Sequence, residues 1–496
     1  MPEDPSPLLI GLPGPRADRN SVRLLRETGA AGVLLLARNI LSTAQTRRLV
    51  LELQDRLGRP LIISVDHEGG WVLRFSKGLT AFPGNAALGK AGDPSMARRT
   101  GLAMGRELSA LGIGLDLAPV LDVVGPAYNP GIIIRSFGDD PQAVSKLGAA
   151  FIKGLQEGGV WACAKHFPGK GAARQDAHLV LPTVSASSGE MSRLHLPPFR
   201  AAVAAESACV MSSHAVYPAL DPSRKPATFS RRIAHGLLRG RFGYGGVLIS
   251  DDLCMGAVTR DRSIPQAALE AFEAGHDLLI VAHAPQAQLE ASQVLRSALQ
   301  EGRIRRERWK LSLNRVRGLL RNRPRPGPLP PADNATALAV SRAALEILRH
   351  GRVRLPLDLS GNPRIAVLWP DLREVKDRFT FEGGVDGPWK RLRSRVSSWP
   401  ARVRFFKTPL LSGEGVGPVL KGCRNADIVL FFCFEAMRFE GQRKTLEALQ
   451  TACAERLVAA LLRNPWDKVL LAPRVTALHA FGYRDCQVSA ILEALR

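Results

Sequence analysis

The segment Ala164–His178, AKHFPGKGAARQDAH, contains two pairs of polar residues that are suited to chemistry. Lys165 and His166 end a short apolar run, and Asp176 and His178 stand two apart in the loop that follows. In an irregular loop this spacing allows the Asp176 carboxylate to accept a hydrogen bond from the His178 imidazole. Such a bond would fix the tautomer of a group whose pKa is ordinarily about 6.5. We therefore predict that a strand end binds a ligand here and that the loop transfers a proton.

The chain around this segment alternates short apolar runs with amphipathic stretches. The runs cover residues 7–12, 31–37, 60–66, 112–122, 160–167, 207–215, 245–252 and 277–284. Near-continuous hydrophobicity is typical of strands that are buried on both faces of a parallel sheet. Amphipathic stretches, such as 44–57, 95–111, 143–156, 286–300 and 307–320, predict helices around them. Eight such units predict a (β/α)8 barrel of the TIM type, and a doubly wound open sheet is the alternative.

Polar residues recur where these apolar runs end. They are Asp66, Asp122, Lys165, His166, His214, Asp251 and Asp252. Barrel enzymes build their active sites at the carboxyl ends of the strands. The sequence therefore predicts one site at that end of the barrel.

A smaller second domain is predicted after a proline- and arginine-rich linker. We expect the barrel in residues 1–320, the linker in 321–340 and an α/β domain in 341–496. Its expected elements are a helix at 338–349 and strands at 364–370, 402–407, 427–434 and 468–473. No strand leads directly into the glycine-rich segment 413–417, so we interpret it as a turn and not as a dinucleotide-binding loop.

Composition excludes several classes of protein. The 496 residues carry a formal charge of +23, but the arginines are dispersed and aromatic residues make up only 6%. We therefore expect no binding of nucleic acid. No apolar run approaches the roughly 18 residues that span a membrane, and Glu3 and Asp4 stand where a signal peptide is positively charged. These features favour a cytoplasmic protein. Its seven scattered cysteines are expected to be reduced thiols and not zinc ligands.

Several stretches resemble motifs of glycoside hydrolase family 3, in its β-N-acetylhexosaminidase branch, and occur in that family's order. They are VDHEGGWVLRF (65–75), MGRELSALGI (104–113), LAPVLDV (117–123), NPGIIIRSFG (129–138), KHFPGKG (165–171), DAH (176–178), SSHAVYPALDP (212–222), PATFS (226–230) and SDDLCM (250–255). The second domain resembles the α/β sandwich of the longer members of the family.

The resemblance implies a role for each matching residue. Asp251 matches the nucleophile, His178 the general acid/base and Asp176 the carboxylate that orients it. The residues that match sugar-binding positions are Asp66, Arg74, Arg135, Lys165 and His166. No metal and no cofactor are implied. Asp252 is expected to be a structural neighbour of Asp251.

Three positions depart from the family pattern. Lys170 replaces a usual histidine, Trp71 replaces a common arginine, and Ala177 replaces a usual serine. None of these changes removes a catalytic group. They bear on fine specificity more than on the class of reaction.

The resemblance implies a retaining exo-β-N-acetylglucosaminidase that acts on a small carbohydrate, which we expect to be a peptidoglycan fragment. Two alternatives are enzymes of the same family: a β-glucosidase, with Glu435 as its acid/base, and a phosphorylase, in which phosphate replaces water. A third is a non-catalytic sugar-binding protein. Neither the sequence nor the resemblance specifies an oligomeric state.

Overall fold

The computed structural model describes residues 5–75, 77–125, 129, 131–173, 181–321, 324–375 and 386–496. The chain divides into two compact units. The first consists of Met1–Thr80 and Gly92–Asp333, and the second of Ala81–Ala91 and Asn334–Arg496. The sequence did not predict that the short segment Ala81–Ala91 packs with the C-terminal residues. A segment this short has no hydrophobic pattern that shows which core it joins.

Eight parallel strands form the barrel of the first unit. They are β1 (Ser6–Gly11), β2 (Ala30–Leu35), β3 (Ile62–Val65), β6 (Leu115–Asp116), β7 (Trp161–Phe167), β8 (Cys209–Ser212), β9 (Val247–Ile249) and β10 (Leu279–Val281). Their order in the sheet is β10-β1-β2-β3-β6-β7-β8-β9. A parallel bridge between Ile249 and Leu278 joins the two ends of the sheet. The predicted (β/α)8 barrel is therefore confirmed, and the open sheet is excluded.

A small antiparallel hairpin follows β3 at the carboxyl end of the barrel. Its strands are β4 (His67–Gly69) and β5 (Val72–Leu73). Asp66 lies between β3 and this hairpin, and Glu68 lies within its first strand. The hairpin thus holds both acidic side chains close to the ends of the barrel strands.

Helices surround the barrel strands. Their bounds are Arg19–Thr28, Thr43–Leu57, Pro94–Ala110, Pro141–Glu157, Pro197–Ala204, Arg232–Arg241, Gly256–Thr259, Ile264–Ala274, Pro285–Gln300 and Arg306–Arg321. Several begin at a side chain that accepts a backbone N–H bond in the first turn, namely Asp18, Ser42, Asp93, Asp140 and Ser263. Such a cap stabilises a helix by about 1 kcal/mol. None of these helices is both long and apolar enough to cross a membrane, and the same holds for the helices in the rest of the described chain.

The second unit contains a six-stranded sheet. Its strands are β11 (Glu346–Arg349), β12 (Arg364–Pro370), β13 (Arg402–Thr408), β14 (Ile428–Cys433), β15 (Leu457–Leu461) and β16 (Thr476–His479), in the order β11-β16-β15-β14-β12-β13. Only β11 is antiparallel to its neighbour. Its helices are Asn85–Ala91, Asn334–Ala344, Gly387–Val396, Val416–Cys423, Glu440–Cys453 and Asp485–Leu495.

Two expectations for this unit differ from the structure. The predicted strand 468–473 is wrong, since a short helix, Pro465–Leu470, occupies its first half and β15 precedes it. Short apolar runs do not distinguish helix from strand, and Val469 is in fact 64% exposed. The helix Asn334–Ala344 also begins within the predicted linker and ends before the predicted 338–349 helix does.

Candidate active site

A network of charged side chains lies at the carboxyl end of the barrel. The ammonium group of Lys165, near the end of β7, is 2.6 Å from a carboxylate oxygen of Asp66 and 2.6 Å from one of Glu68. Arg135 forms a bidentate pair with Glu68, at 2.8 Å through Nε and 2.6 Å through Nη2. Arg74 Nη2 is 3.8 Å from Asp66 Oδ2. The network thus joins four predicted sugar-binding residues with Glu68, which was not predicted. The four are Asp66, Arg74, Arg135 and Lys165.

Glu68 is the residue of this network that sequence reasoning missed. Burial opposes its ionisation, but the nearby Arg135 and Lys165 outweigh that effect and lower the pKa of Glu68 to about 2. Burial likewise opposes the charge on Lys165, whereas Asp66 and Glu68 raise the Lys165 pKa overall. Glu68 and Lys165 therefore both stay charged at neutral pH. The signal in the sequence was a second acid two residues after Asp66, in VDHEGG.

The other polar residue at this end of β7, His166, has a separate partner. Its Nδ1 lies 2.7 Å from Asp122 Oδ2, and both side chains are buried. Burial, together with surrounding cations such as Lys170, keeps the pKa of His166 well below its usual value, so the imidazole is neutral. A neutral ring that donates through Nδ1–H leaves Nε2 as a hydrogen-bond acceptor. His166 can therefore accept a hydrogen bond at Nε2 from a hydroxyl group of a ligand.

The loop after β7 is anchored to the same carboxylate. The backbone N–H of Lys170 donates to Asp122 Oδ1 at 2.7 Å. Gly171 is required next to it, because a Cβ at that position would meet the carbonyl oxygen of Val123 at 1.8 Å. The close approach of the two backbone segments fixes Lys170, and its side chain, beside the ends of the strands.

Asp251 follows β9 and is reached by the Lys170 side chain. The ammonium nitrogen lies 3.9 Å from Asp251 Oδ2, and the Asp252 N–H donates to Oδ1 at 2.9 Å. Burial raises the pKa of Asp251, but Lys170, His214 and the backbone bond outweigh it, so the net pKa is lowered. Asp251 is therefore ionised at neutral pH. Its side chain remains 17% exposed, which suits a carboxylate that has to reach a substrate.

Two residues near Asp251, Asp252 and His214, form hydrogen bonds that hold its loop. Asp252 Oδ1 accepts from the backbone N–H groups of Cys254 and Ala282 at 3.1 and 3.0 Å. The carbonyl of Asp252 accepts a 3.0 Å bond from His214 Nε2. Asp252 and His214, both noted in the sequence at strand ends, thus hold the loop that carries Asp251.

Asp176 and His178 lie outside the described residues, so their predicted roles stay predictions. The described residues nevertheless form one connected set at this end of the barrel. Lys165 lies near enough to Asp251 to lower its pKa, and Asp122 links His166 to the Lys170 loop. The arrangement offers an ionised carboxylate beside a rigid group of hydrogen-bond donors and acceptors, and such a carboxylate is one of the two groups that hydrolysis of a sugar acetal requires.

Comparison with known proteins identifies the family of the first unit. Residues 9–319 match the N-terminal domain of glycosyl hydrolase family 3. A β-hexosaminidase of Thiobacillus denitrificans is 36% identical over 288 residues, which are 56% of this chain and 79% of the relative. One from Neisseria meningitidis serogroup A is 38% identical over 287 residues, or 56% of this chain and 78% of the relative.

Solved structures extend the similarity over both units. The family 3 β-N-acetylglucosaminidase of Paenibacillus sp. str. FPU-7 superposes with a TM-score of 0.91 and 32% identity, over 99% of this chain and 95% of that one. The β-glucoside phosphorylase BglX has a TM-score of 0.80 over 99% of this chain and 90% of that one, but at 20% identity it shows the fold alone. The matched domain covers more than half of the chain, which therefore belongs to glycosyl hydrolase family 3 and is a glycoside hydrolase.

Proposed function

We propose that this protein is a retaining exo-β-N-acetylglucosaminidase that removes terminal N-acetylglucosamine from peptidoglycan fragments in the cytoplasm. The observation that carries the proposal is the ionised Asp251, held at the carboxyl end of the barrel beside the charged network of Asp66, Glu68, Arg135 and Lys165. Relatives named β-hexosaminidase that share 36% and 38% identity support the same activity.

Two steps of chemistry follow from the proposed roles. Asp251 attacks the anomeric carbon, and the bond from that carbon to the leaving oxygen breaks as His178 donates a proton to the oxygen. His178 then takes a proton from water, whose oxygen displaces Asp251 from the glycosyl-enzyme. An imidazole of near-neutral pKa serves as both acid and base, and Asp176 orients it. The configuration of the sugar is retained.

Recognition of the sugar is assigned to the charged network. The Asp66 carboxylate, next to Lys165, accepts hydrogen bonds from neighbouring hydroxyls, and Arg74 and Arg135 supply donors for hydroxyls or the acetamido group. His166 contributes Nε2 as an acceptor, since its Nδ1 is bound to Asp122. Because these side chains bond one another before substrate arrives, little conformational entropy is lost when the sugar binds.

The β-glucosidase alternative is weakened by the environment of Glu435. This residue is 1% exposed, and its carboxylate is paired with Arg463 inside the second unit. A carboxylate with so little exposed surface is not accessible to the leaving group of a substrate. The phosphorylase alternative has one specific observation in its favour, namely that Lys170 adds a cation beside Asp251, where an incoming phosphate would be attracted.

Initial rates with p-nitrophenyl N-acetyl-β-glucosaminide and p-nitrophenyl β-glucoside, with and without phosphate, test these proposals. We expect turnover of the first substrate, little of the second, and N-acetylglucosamine as the product under both conditions. Formation of N-acetylglucosamine 1-phosphate would replace hydrolysis by phosphorolysis. Absence of turnover of both substrates would overturn the enzyme proposal. Muropeptides compared with chitobiose then test whether the natural substrate is a cell-wall fragment.

A further inference from the structure

Three arginines of the barrel unit converge on a single buried carboxylate, Asp277. Arg239 contacts Asp277 Oδ2 through Nη2, while Arg308 and Arg315 each lie 3.2 Å from Oδ1. Asp277 precedes β10, so the cluster lies at the amino end of the barrel strands, opposite the end that carries Asp251. One negative charge cannot neutralise three positive charges, and the cluster therefore keeps an excess positive charge.

The last barrel helix presents two of these arginines on one face. In the helix Arg306–Arg321, Arg308, Ser312 and Arg315 are spaced by four and three residues, which places them on the same side. The Ser312 hydroxyl donates to the backbone carbonyl of Asp277 at 3.0 Å, which confirms the direction of that face. This helix thus aligns two guanidinium groups along the edge of the cluster.

A second helix adds a further cation. Arg231, His235 and Arg239 follow one another at intervals of four residues, at and within the helix Arg232–Arg241. Partial burial lowers the pKa of His235, and Arg231, Arg239, Arg308 and Arg315 lower it further. The lowered pKa agrees with an excess of positive charge at this end of the barrel. Arg231 is exposed at the start of the helix.

The cluster is held in place before any ligand arrives. The Arg239 guanidinium donates to the carbonyl of Tyr244 at 2.8 Å. The Arg308 guanidinium stacks on the ring of Phe272, 4.7 Å from its centre. The Arg315 side chain is 30% exposed and donates one N–H to Asp277, out of the five that a guanidinium carries. Oriented N–H groups thus remain at the surface of a positively charged cluster.

We propose that Arg308 and Arg315, whose guanidinium groups are positioned by Asp277, form a binding site for a phosphoryl group, carried either by a soluble phosphate ester or by a lipid headgroup. The planar guanidinium fork matches two oxygens of such a group, and charge-assisted bonds of this kind are the strong ones. The site is separate from the proposed catalytic residues, because it lies at the other end of the barrel. A lipid headgroup bound at this site would hold the enzyme at a membrane surface. A soluble phosphate ester would bind here without blocking the sugar site.

Pyrophosphate titrated into the full-length enzyme by calorimetry tests the site. Arg315→Gln should raise the dissociation constant at least about tenfold, because it removes charge-assisted bonds. Arg317→Gln is the matched control: it removes the same charge from the same helix, but its side chain bonds Asn314, on another face. We expect a change below about twofold for this control. No binding by the wild type, or equal weakening by both variants, would overturn the proposal.

Vesicles distinguish the two sources of the phosphoryl group. Sedimentation with phosphatidylglycerol vesicles, absent with phosphatidylcholine and lost in the Arg315→Gln variant, would assign the site to a headgroup. Binding of pyrophosphate without sedimentation would assign it to a soluble ester. The rate of p-nitrophenyl N-acetyl-β-glucosaminide hydrolysis should be unchanged in Arg315→Gln, which also controls for correct folding.

Discussion

The ammonium group of Lys170 lies 3.9 Å from Asp251 Oδ2, while the backbone N–H of the same residue donates to Asp122 Oδ1. Lys170 thus connects the loop after β7 with Asp251, which follows β9, and with Asp122. Its charge also stabilises the ionised form of Asp251 against the effect of burial. The unusual lysine of this loop is therefore part of the electrostatic environment of the proposed nucleophile.

Removal of this charge should shift the pH dependence of catalysis. Lys170→Met raises the pKa of Asp251, because burial then acts without the main opposing cation. The acidic limb of the kcat/KM profile should therefore move to higher pH, since the nucleophile has to be ionised. Lys170→Arg keeps the charge and should leave the limb near its wild-type position. An acidic limb that is the same in all three proteins would contradict this role.

Asp251 and its neighbour Asp252 should respond very differently to the same substitution. Asp251→Asn removes the proposed nucleophile, and activity should fall below a few percent of wild type. Asp252→Asn keeps an Oδ1 acceptor for the N–H groups of Cys254 and Ala282, so most activity should remain. Steady-state rates of the two variants check this. Substantial turnover by Asp251→Asn would reject it as the nucleophile.

Glu68→Gln should destabilise the fold strongly. It leaves Lys165 and Arg135 near each other without the carboxylate that separates them, and breaking a buried ion pair costs about 3–5 kcal/mol. Thermal unfolding measures the loss. The control is Glu157→Gln, which breaks the exposed pair with Arg98 and should lower the melting temperature much less. Similar melting temperatures for both variants would contradict the importance of Glu68.

The contribution of Glu68 to stability should depend on pH in a defined direction. Its pKa is lowered from 4.5 to about 2 in the folded state. The stabilisation is therefore fully present above the unfolded value and is lost as the pH falls through the folded value. Between pH 4.5 and about 2, the wild type should lose more unfolding free energy than Glu68→Gln. Denaturant titrations at each pH measure the unfolding free energy. Equal losses of this free energy in the two proteins as the pH falls would contradict the prediction.

Asp122→Asn should reverse the tautomer of His166. Two backbone N–H groups, of His166 and Lys170, point at Oδ1, so the amide oxygen has to occupy that position. The amide nitrogen then faces His166 Nδ1, which becomes an acceptor, and the proton moves to Nε2. KM should rise about tenfold or more, because a sugar hydroxyl loses its acceptor. Nitrogen NMR of the imidazole checks the tautomer, and an unchanged Nδ1–H would refute this explanation.

His178→Ala should slow hydrolysis in proportion to the need of the leaving group for a proton. With alkyl glycosides the loss should be about 10²–10⁴-fold, the usual contribution of general acid catalysis. With 2,4-dinitrophenyl N-acetyl-β-glucosaminide, formation of the glycosyl-enzyme needs no proton and should be much less affected. The burst and steady-state rates separate the two steps. An equal loss in the first step for both substrates would rule out His178 as the acid.

Much of the fold follows from local sequence. The eight apolar runs predicted the barrel strands because strands buried on both faces need nearly continuous hydrophobicity, as in 160–167 and β7. The run 468–473 failed because its Val469 is exposed and the pattern of six residues is too short to specify a conformation. The segment Ala81–Ala91 could not be assigned, because its place depends on distant residues.

The sequence by itself determined which residue types stand at the strand ends, among them Asp66, Lys165 and Asp251, since each directly follows or ends an apolar run. Only the tertiary structure decided their partners: Glu68 between Lys165 and Arg135, and Lys170 beside Asp251. Strand positions are set by local hydrophobicity. Ion pairs between residues far apart in the chain depend on how parallel strands are arranged around the barrel, and that arrangement exists only in the folded protein.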